Sequence, residues 1–339
     1  MTQENRTEKH TLAISQRGSS VTSILKLLAD SVQEHFGRPV KLQRLLAATL
    51  DLPTRLSESA PCILASSVPA WHRLNDGISL NFHDRLPGGT LMGWKRIGGD
   101  YRGFKIHRPE YEQICVETTV KGWWCDISDV HGFSGSKSKL SEFSSTDAMV
   151  ERNSRNMIDE ITPEKLAENL AHDEIRILHR KKTTDHFACY QWDGRLWLMN
   201  CGGSHHFAAA KYIASRLPQR VPLQADLRVY ALNEEAISSL RRDFEMFVVP
   251  NHAAFSNGFV DAMRSFGATW HRHGMPAPYN QTRAILLPRG ERRSMHVAEE
   301  FAKAGVVDLG RLLSDLAANQ HESIDRLRDQ SVHRPPVRI

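Results

Sequence analysis

Apolar positions along this chain recur with two periods, and the changes of period mark its elements. Over residues 21–36 they fall at helical spacing, at Val21, Ile24, Leu25, Leu28, Val32 and Phe36, until Gly37 and Pro39 end the pattern. A second helix is expected over 40–50, with Leu42, Leu45, Leu46 and Leu50 inward and Pro53 closing it. The two predict an αα-hairpin. From 80 to 129 the texture changes. Gly88, Gly89, Gly93, Gly98, Gly99 and Gly103 punctuate short segments that carry Trp94, Tyr101, Phe104 and Ile106. Further on, Ile114, Val116, Thr118 and Val120 alternate with other residues as a half-buried strand does. This stretch predicts a small antiparallel sheet, with Trp94, Trp123 and Trp124 packed in it. Residues 131–150 open with Ser134, Ser136, Ser138, Ser141, Ser144 and Ser145, and Lys137 and Lys139 make them mildly basic. Such composition predicts a flexible linker, with a lid role as the sharper alternative.

Residues 151–250 read as a mixed unit. Strands are expected over 157–161, 175–178, 186–192, 195–199, 223–232 and 246–249. Asp193-Gly194 supplies a hairpin turn between the third and fourth of these. Thr162-Pro163-Glu164 starts a helix to Leu170, the run 207–217 forms another, and Asn233 caps a third over 234–242. Beyond Pro250 the pattern gives a helix over 253–266, a strand over 283–287, and helices over 293–304 and 308–318. The polar ends, 1–20 and 319–339, are expected to be disordered. The class is α+β.

Composition narrows the function classes modestly. With 339 residues, 40% hydrophobic and 24% charged, the chain has the make-up of a globular protein. A net charge of +5 and a pI near 9.0 suit a phosphate-bearing partner without requiring nucleic acid. Cys62, Cys115, Cys125, Cys189 and Cys201 are odd in number and lack paired zinc spacing, which fits a reducing compartment. No apolar run has signal-peptide or membrane-spanning length. A cytoplasmic protein with no membrane contact is expected.

The densest chemistry lies in Asn200-Cys201-Gly202-Gly203-Ser204-His205-His206-Phe207-Ala208-Ala209-Ala210-Lys211. An apolar strand runs into a Gly pair, which lets backbone turn tightly and approach a ligand. A helix then begins, and its first N–H groups and dipole favour an anion. His205 and His206 add donors that can carry charge near neutral pH. The segment therefore reads as a phosphate cradle, set against the plainer reading of a strand-to-helix turn capped by Ser204. The neighbouring pair Ser204-His205 does not complete Gly-x-Ser-x-Gly, because position 206 is His. His271 and His273 share a face of any strand but lack a third metal ligand in sequence, so a solvated basic loop is expected there and no metal site. Gly290-Glu291-Arg292-Arg293, between a strand and a helix, is a second candidate anion site.

The order of elements over 157–232, with the Gly-Gly-x-His turn and Ala-rich helix, resembles the ParB/sulfiredoxin superfamily. The sulfiredoxin signature is Phe-Gly-Gly-Cys-His-Arg; here Cys201-Gly202-Gly203-Ser204-His205-His206 stands in its place. The resemblance implies a mixed-sheet core over 151–250 with helical N-terminal and α/β C-terminal additions. It also implies a nucleotide, ATP or CTP with Mg²⁺, whose phosphates contact Gly202, Gly203, Ser204, His205 and His206. The expected activity is phosphoryl transfer or nucleotide hydrolysis. Arg195 and Lys211 are expected to add positive charge, and His205 and Glu160 are the candidate catalytic groups, since transfer to a hydroxyl needs a base. Ser204 stands at the sulfiredoxin cysteine position, so sulfinic-acid repair by that route is not expected. The alternative is a non-catalytic DNA- or protein-binding module, such as phages and mobile elements carry, although no helix-turn-helix is visible after Leu232.

Overall fold

The computed structural model describes residues 29–320, apart from 31, 57–59, 75 and 77–86. Residues 1–20 and 321–339 of the expected disordered ends, the first turns of the 21–36 helix and residues 80–86 lie outside the described residues; Asn319 and Gln320, expected in the tail, instead close the last helix, with Gln320 buried against Leu232. Helix α1 (Val40–Ala48) is followed by strands β1 (Thr90–Ile97), β2 (Asp100–His107), β3 (Cys115–Asp126) and β4 (Val130–Phe133). Helices α2 (Thr146–Asn153) and α3 (Pro163–Leu170) precede a hairpin of β5 (His186–Tyr190) and β6 (Leu196–Met199). Then come α4 (Ser204–Arg216), β7 (Pro222–Leu232), α5 (Glu234–Asp243), β8 (Phe244–Pro250) and α6 (Ala253–Phe266). Strands β9 (Trp270–Gly274) and β10 (Thr282–Pro288) lead to α7 (Arg292–Lys303) and α8 (Leu309–Asn319).

The strands form two five-stranded sheets, ordered β3-β7-β5-β6-β4 and β2-β1-β9-β10-β8. The second sheet is antiparallel throughout. Its alternation sorts side chains to two cores. Phe247, Val249, Ile285 and Leu287 join Phe255, Phe259 and Phe301 on one side, while Met246, Val248, Ala284 and Leu286 join Leu309 and Leu313 on the other. Local sequence starts most of the longer helices: Ser145, Thr162, Asn233, His252, Glu291 and Asp308 each accept a first-turn backbone N–H.

The first sheet is mixed. β5 pairs antiparallel with β6 and parallel with β7, and β6 pairs parallel with β4. Helix α4 packs its Phe207, Ala208, Ala209, Ala210, Ile213 and Ala214 into the core beneath it. The alanines let α2 and α3 come close to α4, and burying a side chain such as Phe207 contributes roughly 1.5–3 kcal/mol.

Several expectations change. The glycine-punctuated region does not make a sheet of its own: β1 and β2 join β9, whereas β3 pairs with β7 on the first sheet. Trp94 stacks on Trp270 and Trp123 is buried, but Trp124 is 38% exposed. The strands expected over 157–161 and 175–178 are absent; a 3₁₀ turn (Arg155–Met157) and a one-turn helix (Arg176–His179) stand there. Short apolar runs carry no period that separates strand from helix. The expected linker over 131–150 is packed structure, with Phe133, Leu140, Phe143, Met149 and Val150 in the core. Among the described residues no helix is long and apolar enough to cross a membrane.

Candidate functional site

Strands β4 and β6 run parallel, with Phe133 opposite Leu198, so both chains leave the sheet at the same edge. Ligand crevices form outside the carboxyl ends of parallel strands for this reason. The segment after β4 and the turn after β6 are tied together by Asn200, which is nearly buried. Its Nδ2 donates to the carbonyls of Gly135 at 3.0 Å and Gly202 at 2.8 Å, and its Oδ1 accepts from Gly135 N at 3.3 Å. Ser134 Oγ donates to the Asn200 carbonyl at 3.1 Å. Between these walls lies a cavity of about 740 Å³, lined by residues 135–138, the end of α2, His172, Glu174 and the 200–206 turn. A cavity of like volume near Thr54 and Asp308 has no imidazole in its lining.

The turn itself needs glycine. Gly203 has φ +70°, and a Cβ there would lie 2.7 Å from the Glu174 carbonyl group. Left-handed backbone and close approach coincide at one residue. Gly203 is also the N-cap of α4, so no side chain caps this helix. Ser204 is not the cap. It lies inside the helix, buried, and donates from Oγ to Ser136 Oγ at 2.8 Å.

Both imidazoles of the turn line the cavity, but each is held. His205 contacts Ser138 Oγ through Nε2 at 3.1 Å and Ser154 Oγ through Nδ1 at 2.5 Å. Asn153 Nδ2 donates to that same Ser138 Oγ at 2.7 Å. His206 stacks on His172, ring centroids 3.7 Å apart. Its Nδ1 faces Asn169 Oδ1 at 3.1 Å, while Asn169 spends its Nδ2 on the carbonyls of Met157 and Lys165. That wiring puts the proton of neutral His206 on Nδ1 and leaves Nε2 as an acceptor. Burial pushes the pKa of both rings down; Lys137 adds to this for His205, and His172 for His206, with Glu174 opposing. These rings are expected on sequence to be able to carry charge near neutral pH; desolvation in the folded protein works against the charged form of both.

The remaining expected site residues are dispersed. Glu160 is exposed and outside the cavity lining. Glu174 is the carboxylate that the fold brings in; its Oε2 accepts from Gly203 N at 3.2 Å. Arg195 is bound to Asp193 and lies over the Trp197 ring, away from the turn. Lys211 donates to the Val130 carbonyl, and burial lowers its pKa. The cation on the cavity wall is instead Lys137, on the segment expected to be a linker. On sequence, Ser136, Lys137 and Ser138 belong to a linker or lid, and Asn153, Ser154, Asn169 and Glu174 are not among the expected site residues. Their one local signal was the Phe133, Leu140 and Phe143 side chains, which a solvated linker would not carry.

The second candidate anion site is filled by its own acid. Glu291 Oε2 accepts from Ser294 N at 2.6 Å and from Thr269 N at 3.4 Å. His271 and His273 are not in a solvated loop; both lie buried on β9. Among the described residues no cluster of three or more His, Cys, Asp or Glu is arranged to hold a metal ion.

The model of a family of unknown function, DUF6685, matches residues 120–326. The chain belongs to this family. The matched region spans the whole first sheet except the first residues of β3, together with the cavity and the C-terminal half of the second sheet. No curated protein and no solved structure matches the chain.

Proposed function

We propose that this protein is a nucleotide-binding enzyme with a ParB/sulfiredoxin-like core, which holds the phosphates of ATP or CTP, with Mg²⁺, at the start of α4. Phosphoryl transfer or nucleotide hydrolysis is its activity. One observation carries this reading: the N-terminus of a 13-residue helix has no side-chain cap and opens into a polar cavity of about 740 Å³. An uncapped helix start offers N–H donors and the positive end of its dipole to an anion. The volume is ample for a nucleotide. The succession of hairpin, Gly-Gly turn, Ala-rich helix and a strand parallel to the hairpin's first strand supports the same reading.

The roles shift from those expected on sequence. Lys137 supplies the fixed positive charge in place of Arg195 and Lys211. Glu174, not Glu160, is the carboxylate at the cavity, and the role of base falls to His205 alone. Mg²⁺ commonly binds one or two carboxylates together with substrate phosphates, and Glu174 fits as that hard-oxygen donor. Neutral His205, with Nε2 against a hydroxyl, is the general base.

Thermal shift with ATP, CTP, ADP and GTP in the presence of Mg²⁺ tests the proposal. A nucleotide at about 100 times its Kd stabilises the folded state by about 2.7 kcal/mol, a rise in Tm of roughly 4 °C for a chain of this length. Lys137→Ala is expected to diminish the rise. If no nucleotide moves Tm while DNA binding is tight and falls steeply with salt, the non-catalytic binding module replaces this reading.

A further inference from the structure

The cavity contains a complete set of groups for activating a hydroxyl, and of these only the base, His205, lies on the turn that binds phosphate in the reading above. Ser138 Oγ stands 3.1 Å from His205 Nε2, and Asn153 Nδ2 donates to the same Oγ at 2.7 Å. The far nitrogen of the ring, Nδ1, is held by Ser154, which is 3% exposed. With Asn153 occupying a lone pair of Ser138, the hydroxyl proton is directed to Nε2. The ring proton then sits on Nδ1 and points to Ser154 Oγ. A nucleophile, a base in hydrogen-bond reach, and a third group that orients the base form the general arrangement of an activated nucleophile. Ser138 is half-buried and lines the cavity, so it is open to a guest. Lys137 precedes it in the chain and lies on the same wall.

We propose that Ser138 is the nucleophile of this cavity, attacking tetrahedral phosphorus with His205 as its base, so that a phosphoserine forms on the chain itself. The donor rests on the nucleotide reading; the nucleophile does not. In the step, Ser138 Oγ forms a bond to the γ-phosphorus and the bond from that phosphorus to the bridging oxygen breaks. Nucleoside diphosphate leaves with the bonding pair, and the Ser138 proton passes to His205 Nε2. The resulting imidazolium returns the proton to solvent.

Two probes separate the nucleophile from its donor. The full-length chain is incubated with ATP or CTP and Mg²⁺, and separately with a fluorophosphonate, which offers phosphorus and a leaving group without any nucleotide. Intact-mass and peptide mass spectrometry then locate the adducts. With nucleotide, a gain of one phosphoryl group at Ser138 is expected, and with the fluorophosphonate one adduct at the same residue. Ser138→Ala abolishes both. His205→Ala slows both by roughly 100-fold or more, within the range of general-base catalysis. His205→Gln keeps a polar group against Ser154 and is expected to be equally slow, so a fold defect in the alanine variant does not decide the matter. If nucleotide raises Tm but both probes leave Ser138 unmodified, or modify another residue, the nucleophile proposal is wrong and the binding reading survives. If the fluorophosphonate labels Ser138 while no nucleotide binds or labels, the nucleophile stands and the nucleotide reading falls.

Discussion

This molecule contains two pairs of histidines close in sequence, and they differ in every respect that matters for chemistry. His205 and His206 sit at a helix start, the first held by two serine hydroxyls and the second by Asn169 Oδ1 with Nε2 left to accept, and both rings reach the cavity. His271 and His273 sit on a central strand of the other sheet, 3% and 4% exposed. His271 packs edge-on between Phe104 and Phe244. Among the described residues it makes no well-formed side-chain hydrogen bond, although the Leu286 backbone opposes the lowering of its pKa. His273 bonds the Gly274 carbonyl through Nδ1 and, among the described residues, has no partner at Nε2. Burial lowers all four pKa values, that of His271 to about 4. A shifted imidazole by itself does not mark a site. What distinguishes the pairs is access and a hydrogen-bond network that leads to a reactive hydroxyl.

The largest expected effect tests the glycine on which the first pair leans. Gly203→Ala forces a Cβ into left-handed backbone and within 2.7 Å of the Glu174 carbonyl. A loss of about 3 kcal/mol or more is expected in denaturant titration, beyond the left-handed penalty alone. A loss under about 1 kcal/mol would mean that the turn is not held as described.

Acid titration sharpens the contrast next. Between pH 6.5 and about 4 the unfolded chain protonates His271 and the folded chain does not. Its contribution to stability is thus present above pH 6.5 and lost as pH falls towards 4, a loss of about 3 kcal/mol from this residue. His271→Phe, which removes the titrating group and keeps an aromatic ring among Phe104 and Phe244, is expected to flatten this part of the pH–stability curve. An equally steep curve in the variant would assign the acid sensitivity elsewhere.

The smallest effect concerns the open pair. Glu174 sits on the Gly203 N–H with a negative charge where the proposal seats an anion. Glu174→Gln removes that repulsion, so inorganic phosphate should bind several-fold more tightly without Mg²⁺, measured by calorimetry. An unchanged or weaker affinity would place the anion away from this turn. The same variant should lose Mg²⁺-dependent turnover.

How much of this was readable beforehand depends on how local each cause is. The helix 253–266 was legible to the residue because its apolar stripe after Pro250 is set by neighbours in sequence; the structure adds that His252 caps it and Gly267 closes it. The hairpin at Asp193-Gly194 and the turn 200–203 were legible for the same reason. The runs around Met157 and Ile175 were not, since a few apolar residues fit a single helical turn as well as a strand. Averaged composition misled over 131–150, where serines outnumber the Phe133, Leu140 and Phe143 side chains that fix the segment in the core.

By itself, then, the amino-acid sequence determined that a Gly-Gly turn would launch a helix with two imidazoles at its mouth. Backbone freedom at glycine and the helix's own unpaired amides are properties of adjacent residues. Only tertiary structure decided what faces that mouth. Parallel pairing of β4 with β6 brings Ser138 to His205 across 67 positions of chain. Packing of α2, α3 and the loop after α3 against α4 sets Ser154, Asn169 and Glu174, rather than Glu160, beside the turn. Such contacts depend on strand order and on how buried faces fit together, and no pattern of neighbours along the chain encodes them.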